Sequence, residues 1–190
     1  MGLFDWIVGA AGRDAGIQLL PQVIELPAVD SRWTVAWEPG ADARLIRSTQ
    51  QQRLTLTHGR ALDAIAALQH WLKAEGRRHL PDWLALVAAD TGHRYTTVSV
   101  RLQRSRWGSC SSSGRISLNA KLLMLPPDAV RYVLVHELAH TVHMNHSRAF
   151  WSEVARHQPD WREQVRVVKA RAPALPAWVH AHAKPPANLR

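Results

Sequence analysis

The feature that most constrains this chain is His136-Glu137-Leu138-Ala139-His140, set inside a run that is otherwise apolar: Val130, Val133, Leu134, Val135, Leu138, Ala139 and Val142. A stretch apolar nearly all round reads as a buried helix, here introduced by Pro126-Pro127-Asp128 and expected to run to about His143. Residues four apart share a helix face, so the two imidazoles converge on one point. Two His and one Glu in such a run cost several kcal/mol unless something satisfies them. A zinc ion satisfies them together, because it takes imidazole nitrogens at about 2.0–2.1 Å. Glu137 lies about 100° around the helix, placed to act on a water rather than on the metal. In helical zinc hydrolases that residue is the general base, working on water that the metal acidifies. With eleven His in 190 residues, an H-E-x-x-H match arises by composition on the order of 0.02 times per chain.

A catalytic zinc keeps three protein ligands and an open position. His143, His146 and Glu153 are the candidates for the third. A continuous helix carries His143 about 10 Å along the axis from His136, too far for easy sharing. His146 is favoured, provided the chain turns first, and Met144-Asn145 offers that turn because Asn tolerates the left-handed conformation that ends helices. Glu153, on the next helix, is the alternative ligand.

The single cysteine, Cys110, excludes an intrachain disulfide and any multi-cysteine zinc site. It reads as a small packed residue, not a nucleophile. No apolar run approaches the ~20 residues of a membrane span, and the N-terminus lacks the basic start of a secretory signal. The chain is therefore read as cytoplasmic, without a membrane partner. The net charge of +9 leaves a nucleic-acid partner possible, with nothing beyond charge to favour one.

Along the chain, residues 1–30 read as an N-terminal extension with at most one short helix. Residues 31–171 read as one catalytic domain, and residues 172–190 as a loosely ordered Pro/Ala-rich tail. Alternation predicts an antiparallel meander over 32–58, with a turn at Glu38-Pro39-Gly40. A helix is expected over 61–75, stopped by Gly76, and a second from Pro81-Asp82 to about Asp90. Val98–Gln103 and Arg115–Asn119 alternate as strands, joined by the turn-rich stretch Trp107–Gly114. Helices follow from about Ser147 to His157 and from Asp160, which with Glu163 resembles a capping box. His180 and His182 read as tail residues, not a metal pair.

The combination Arg106-Trp107-Gly108-Ser109-Cys110-Ser111, Leu118-Asn119, Tyr132 through His140, Asn145-His146-Ser147 and Phe150-Trp151 resembles the YgjP-like metallopeptidase family, and more distantly the SprT-like and WLM zinc proteins. The resemblance spans about Val98 to Val168. It implies an α+β, zincin-like fold, with a small antiparallel sheet packed beside the metal-binding helix. By motif position it implies one Zn2+ per chain on His136, His140 and His146, with Glu137 catalytic.

Three functions compete. The first is a metallopeptidase acting on a peptide or protein substrate. The second is a nucleotide pyrophosphate or phosphoester hydrolase, motivated by Arg101, Arg104, Arg106, Arg115 and Lys121 near the site. The third is a non-catalytic, zinc-stabilised binding module, which has no need of Glu137. Arg106, Tyr132 and His143 are candidates for contacts to the substrate or transition state. Strand Arg115–Asn119 is a candidate for pairing with an extended peptide.

Overall fold

The structure is a computed structural model that describes residues 20–38, 44–57 and 61–181, with Ala61 as backbone only. Most of the N-terminal extension, the turn at Pro39-Gly40, and His182 with the rest of the tail lie outside these residues. The class is α+β. In chain order the regular elements are β1 (Val23–Leu26), β2 (Ser31–Glu38), β3 (Arg44–Ser48), β4 (Arg53–Thr57), α1 (Ala61–Thr91), β5 (Thr97–Arg101), β6 (Gly108–Cys110), β7 (Arg115–Asn119), α2 (Pro127–Ala139), α3 (Arg148–His157) and α4 (Trp161–Ala174). The described residues divide into two compact units, residues 20–25, 31–38, 44–57, 61–71 and 176–181 in one and residues 26–30 and 72–175 in the other. No described helix is long and apolar enough to cross a membrane.

In the first unit the four strands are ordered β1-β2-β4-β3. The expected antiparallel meander is corrected. β3 and β4 form an antiparallel hairpin, but β2 pairs with β4 in parallel, Thr34 opposite Arg53 through Glu38 opposite Thr57. Alternation marks which residues form a strand and which face is buried, and it says nothing of partner or direction. Leu54 and Leu56 are fully buried on the inner face, and Trp33 meets Trp71 edge to face at 5.3 Å. The described part of the tail, up to Ala181, is more ordered than expected. Residues Ala177–His180 form a 3-10 turn that buries Trp178 and Val179. Gln69 Nε2 donates to the carbonyls of Trp178 and Ala181. A tryptophan in a Pro/Ala-rich segment was the signal for this.

One helix replaces the two expected over 61–90, because α1 continues through Gly76 and Pro81. Gly76 is needed for close approach, not for a stop: a Cβ there would lie 3.0 Å from Ala120 Cβ and from Val100 Cγ1. Pro81 frees the carbonyl of Arg77, but Arg77 is exposed, so water can take the lost bond. Leu80 and Leu84, fully buried beside it, hold the helix together by packing.

In the second unit three strands are ordered β5-β7-β6 and lie beside α2. This sheet is also mixed. β5 runs parallel to β7, Val100 opposite Leu118, and β6 runs antiparallel to it, Ser109 opposite Ser117. The stretch read as a plain connection therefore holds an edge strand, closed onto β7 by a turn in which Gly114 sits at φ +72. Positive φ is the conformation glycine adopts without strain. The central strand buries Ile116, Leu118 and Asn119.

Candidate metal centre

α2 ends at Ala139, four residues earlier than the periodicity suggested. His140 keeps helical backbone angles (φ −67, ψ −17), so the i, i+4 relation to His136 survives. The chain leaves through a tightened turn, not a left-handed Asn145. Thr141 N and Oγ1 both donate to the carbonyl of Leu138, and His143 N donates to Ala139 O. Among the described non-glycine residues only Asp30 and Gln52 have positive φ. Ser147 then caps α3, its hydroxyl accepting from Phe150 N. Between these two fixed ends, His146 folds back.

The result is a convergence of three rings. One nitrogen from each of His136, His140 and His146 lies within 4.8 Å of the other two. His136 Nε2 and His146 Nε2 stand 3.2 Å apart. Ligands at zinc–nitrogen distances on a tetrahedron are separated by ~3.3 Å, so this pair is spaced for a shared ion. Two of the three remaining ring nitrogens have neighbours of their own. His140 Nδ1 is 3.0 Å from the carbonyl of His143, and His136 Nδ1 faces the Tyr132 hydroxyl at 3.5 Å. Such outer contacts leave Nε2 unprotonated and aimed inward. Burial, then the neighbouring His140 and His146, push the His136 pKa down to about 4. It is therefore neutral, the form that binds metal. Phe150 and Trp151 back the cluster, their rings 4.8 and 5.7 Å from that of His146. The donor set fits a divalent transition metal.

Glu137 is 5% exposed. Burial pushes its carboxyl pKa up to about 8, against a smaller downward pull from Arg106. Its neighbour across the cleft is the edge strand, where Gly108 leaves the space its carboxylate fills. A cleft of about 330 Å³ opens here, walled by Trp107, Gly108, Tyr132, Val133, His136 and Glu137, with Val165 and Val168 from α4 and cationic Arg106 and Lys169 also lining it.

Each anticipated site residue now has a position. His136, His140 and His146 come together; Arg106, Tyr132 and Glu137 line the cleft. His143 is not among the lining residues, and its carbonyl holds His140. Glu153 lies in a different cluster with His93 and His157. Of the five cations considered for phosphate, only Arg106 lines the cleft. Lys121 is buried and donates to Arg104 O, and Arg101, Arg104 and Arg115 are exposed. Strand β7 has partners on both sides, so the free edge beside Glu137 belongs to β6. Cys110 is half-buried, and burial, then the Glu137 charge, push its thiol above its ordinary range.

The positioning roles of three residues, Gly108, Asn119 and Lys121, were not read from the sequence. Gly108 passed as a turn former. Asn119 is fully buried, and its amide donates to the carbonyls of Gln103 and Arg106 while its oxygen accepts from Lys121 N. With Lys121 it pegs the 103–106 segment at the mouth of the cleft. The signal was a polar Asn closing an apolar strand.

A family model described as YgjP-like, metallopeptidase domain, matches residues 21–171. The crystal structure of the metallopeptidase zymogen of Pyrococcus abyssi abylysin matches at 27% identity, over 48% of this chain and 92% of that one, with a TM-score of 0.44. No curated protein matches the chain.

Proposed function

Starting from the fact that this chain belongs to the YgjP-like metallopeptidase family and is thus a metal-dependent hydrolase of peptide bonds, we propose that it is a zinc peptidase in which His136, His140 and His146 hold the ion and Glu137 is the general base. When bound, zinc supplies a Lewis acid that acidifies water, polarises the scissile carbonyl and favours the ionised form of Glu137. The rest is the work of the chain. Glu137 takes a proton from the attacking water and returns it to the leaving amine. Its burial raises its basicity, and Gly108 admits it to the cleft wall. The unpaired edge of β6 offers backbone groups to an extended peptide, which adds as a further strand. The apolar wall of Val133, Val165 and Val168 receives a side chain, with Arg106 and Lys169 available to an acidic one. Tyr132, raised to about 12 by burial and by Glu137, stays protonated and can donate to a developing oxyanion.

The observation that carries this reading is the edge strand β6, packed through Gly108 directly against the buried carboxylate. A phosphate-cleaving site needs convergent cations, and the dispersal of the five candidates argues against it. Three donors without a fourth among the described residues support a catalytic centre over a closed structural one. The test is Glu137→Gln, with zinc content and cleavage of unstructured peptides measured together. The variant is expected to keep its zinc and lose turnover by several orders of magnitude. Full peptidase activity in the variant, or hydrolysis of nucleoside triphosphates but not peptides by the native chain, ends the proposal.

A further inference from the structure

A second cluster of metal-ligating groups lies in the same unit. Gly92, at φ +75, turns the chain at the end of α1, and His93 follows it inward, only 9% exposed. From α3, Glu153 and His157 project one turn apart and so share a face. Glu153 Oε1 lies 3.0 Å from His157 Nε2 and 3.4 Å from His93 Nε2. The two rings meet edge to face with centroids 5.4 Å apart. One ligand atom from each residue lies within 4.8 Å of the other two.

Hydrogen bonding explains this arrangement poorly. His93 Nδ1 is buried with no partner, and Nε2 reaches only a long contact to a carboxylate oxygen that His157 already occupies more closely. A buried imidazole placed so badly for protein partners costs free energy. The separations of 3.0 and 3.4 Å from Glu153 Oε1 lie close to the ~3.3–3.5 Å between ligands on a tetrahedron around one zinc-sized ion. Arg156 Nη1 contacts the other carboxylate oxygen, Oε2, at 3.4 Å, so Oε1 faces only the two imidazoles that would share an ion with it. Two imidazoles with one carboxylate suit zinc and its first-row neighbours, while Mg2+ and Ca2+ require oxygen ligands throughout.

We propose that His93, Glu153 and His157 form a second divalent transition-metal site, selective for zinc-like cations and distinct from the His136–His140–His146 centre. The ion joins the end of α1 to α3. Because α3 also backs His146 through Phe150 and Trp151, an ion here steadies the helix behind the first centre. Arg131 of α2 holds the same junction independently. It pairs with Asp90 and donates to the His157 carbonyl and to Gln158 Oε1. Removing one ligand of the second site therefore leaves the junction in place.

Equilibrium dialysis against zinc chloride, with bound metal counted by mass spectrometry, tests this. The native chain is expected to hold two ions. Glu153→Gln and His157→Asn should each hold one, with unchanged far-ultraviolet circular dichroism. Glu153→Gln is nearly isosteric, so it decides the matter if His157→Asn fails to fold. A chain carrying both His136→Asn and His140→Asn should also hold one ion, and that ion should disappear when Glu153→Gln is added. A single ion in the native chain that Glu153→Gln retains, or two in Glu153→Gln, overturns the second site. Two ions in the His136/His140 double variant would instead sink the first centre, so the two failures are distinguishable.

Discussion

A methyl group on residue 108 would stand 2.6 Å from Glu137 Oε1 and 2.7 Å from Glu137 Cγ. The edge strand and the buried carboxylate thus touch at a point where only glycine fits. Gly108→Ala must displace either the strand or the carboxylate proposed as the base. A displacement of about 1 Å in a catalytic group can cost ~10²-fold. The expected result is a fall in kcat of about that size with zinc content unchanged. A variant with native kcat would show that Glu137 has room to relax and that the contact is incidental.

The burial of Glu137 also predicts a pH effect on the metal-free protein. Its pKa is raised from an ordinary 4.5 to about 8 in the folded chain. The fold therefore prefers the protonated acid, and the unfolded chain releases the proton. Stability is fully present below the ordinary value and is lost as pH rises toward 8, by roughly 4 kcal/mol at pH 7.5. His136 works oppositely: its pKa is lowered from 6.5 to about 4, so its contribution is present above 6.5 and lost as pH falls toward 4. The His136 effect is common to native chain and Glu137→Gln and cancels in their difference. With chelator present, Glu137→Gln is expected to be more stable than native by roughly 2–4 kcal/mol at pH 7.5 and equal to it near the ordinary carboxyl pKa. Urea midpoints at the two pH values measure this, and a constant difference would refute the assignment.

Trp151 stacks on His146 at 5.7 Å and on Trp161 at 4.3 Å, and it is half-buried where His146 is exposed. Removing its ring leaves the third imidazole free to swing. Trp151→Ala is expected to weaken zinc binding about 10-fold, in the range seen when outer supports of ligands are lost. Competition with a chromophoric chelator gives the affinity. Unaltered affinity would mean that the 141–147 turn alone positions the ring.

Asn119 serves three backbone groups from a fully buried position. Asn119→Ala leaves those groups unsatisfied, at about 1–3 kcal/mol. It also releases the Gln103–Arg106 segment at the cleft mouth. The expected outcome is a lower thermal midpoint together with a raised KM and a smaller change in kcat. A stability loss with unchanged KM would confine Asn119 to folding.

What the sequence determined by itself was local. The spacing of His136 and His140, the placement of Glu137 between them and the apolar surroundings of all three follow from helical periodicity, which needs only neighbours in the chain. The strand positions at 97–101 and 115–119 and the helix cap at Ser147 were legible for the same reason. The capping box expected at Asp160 is not formed: its carboxylate accepts from the Gln158 and Gln164 side chains instead of capping the helix backbone. Strand direction, the edge position of β6, the unbroken α1 and the fit of Gly76 and Gly108 against distant side chains were decided by tertiary structure. So was the placement of His146, and not Glu153, beside His136 and His140, which depends on where a turn sends each side chain. A lone glycine or a proline in one dimension reads as punctuation; in the fold, packing energy overrides local propensity, and the same glycine becomes the place where two elements come close enough to make a site.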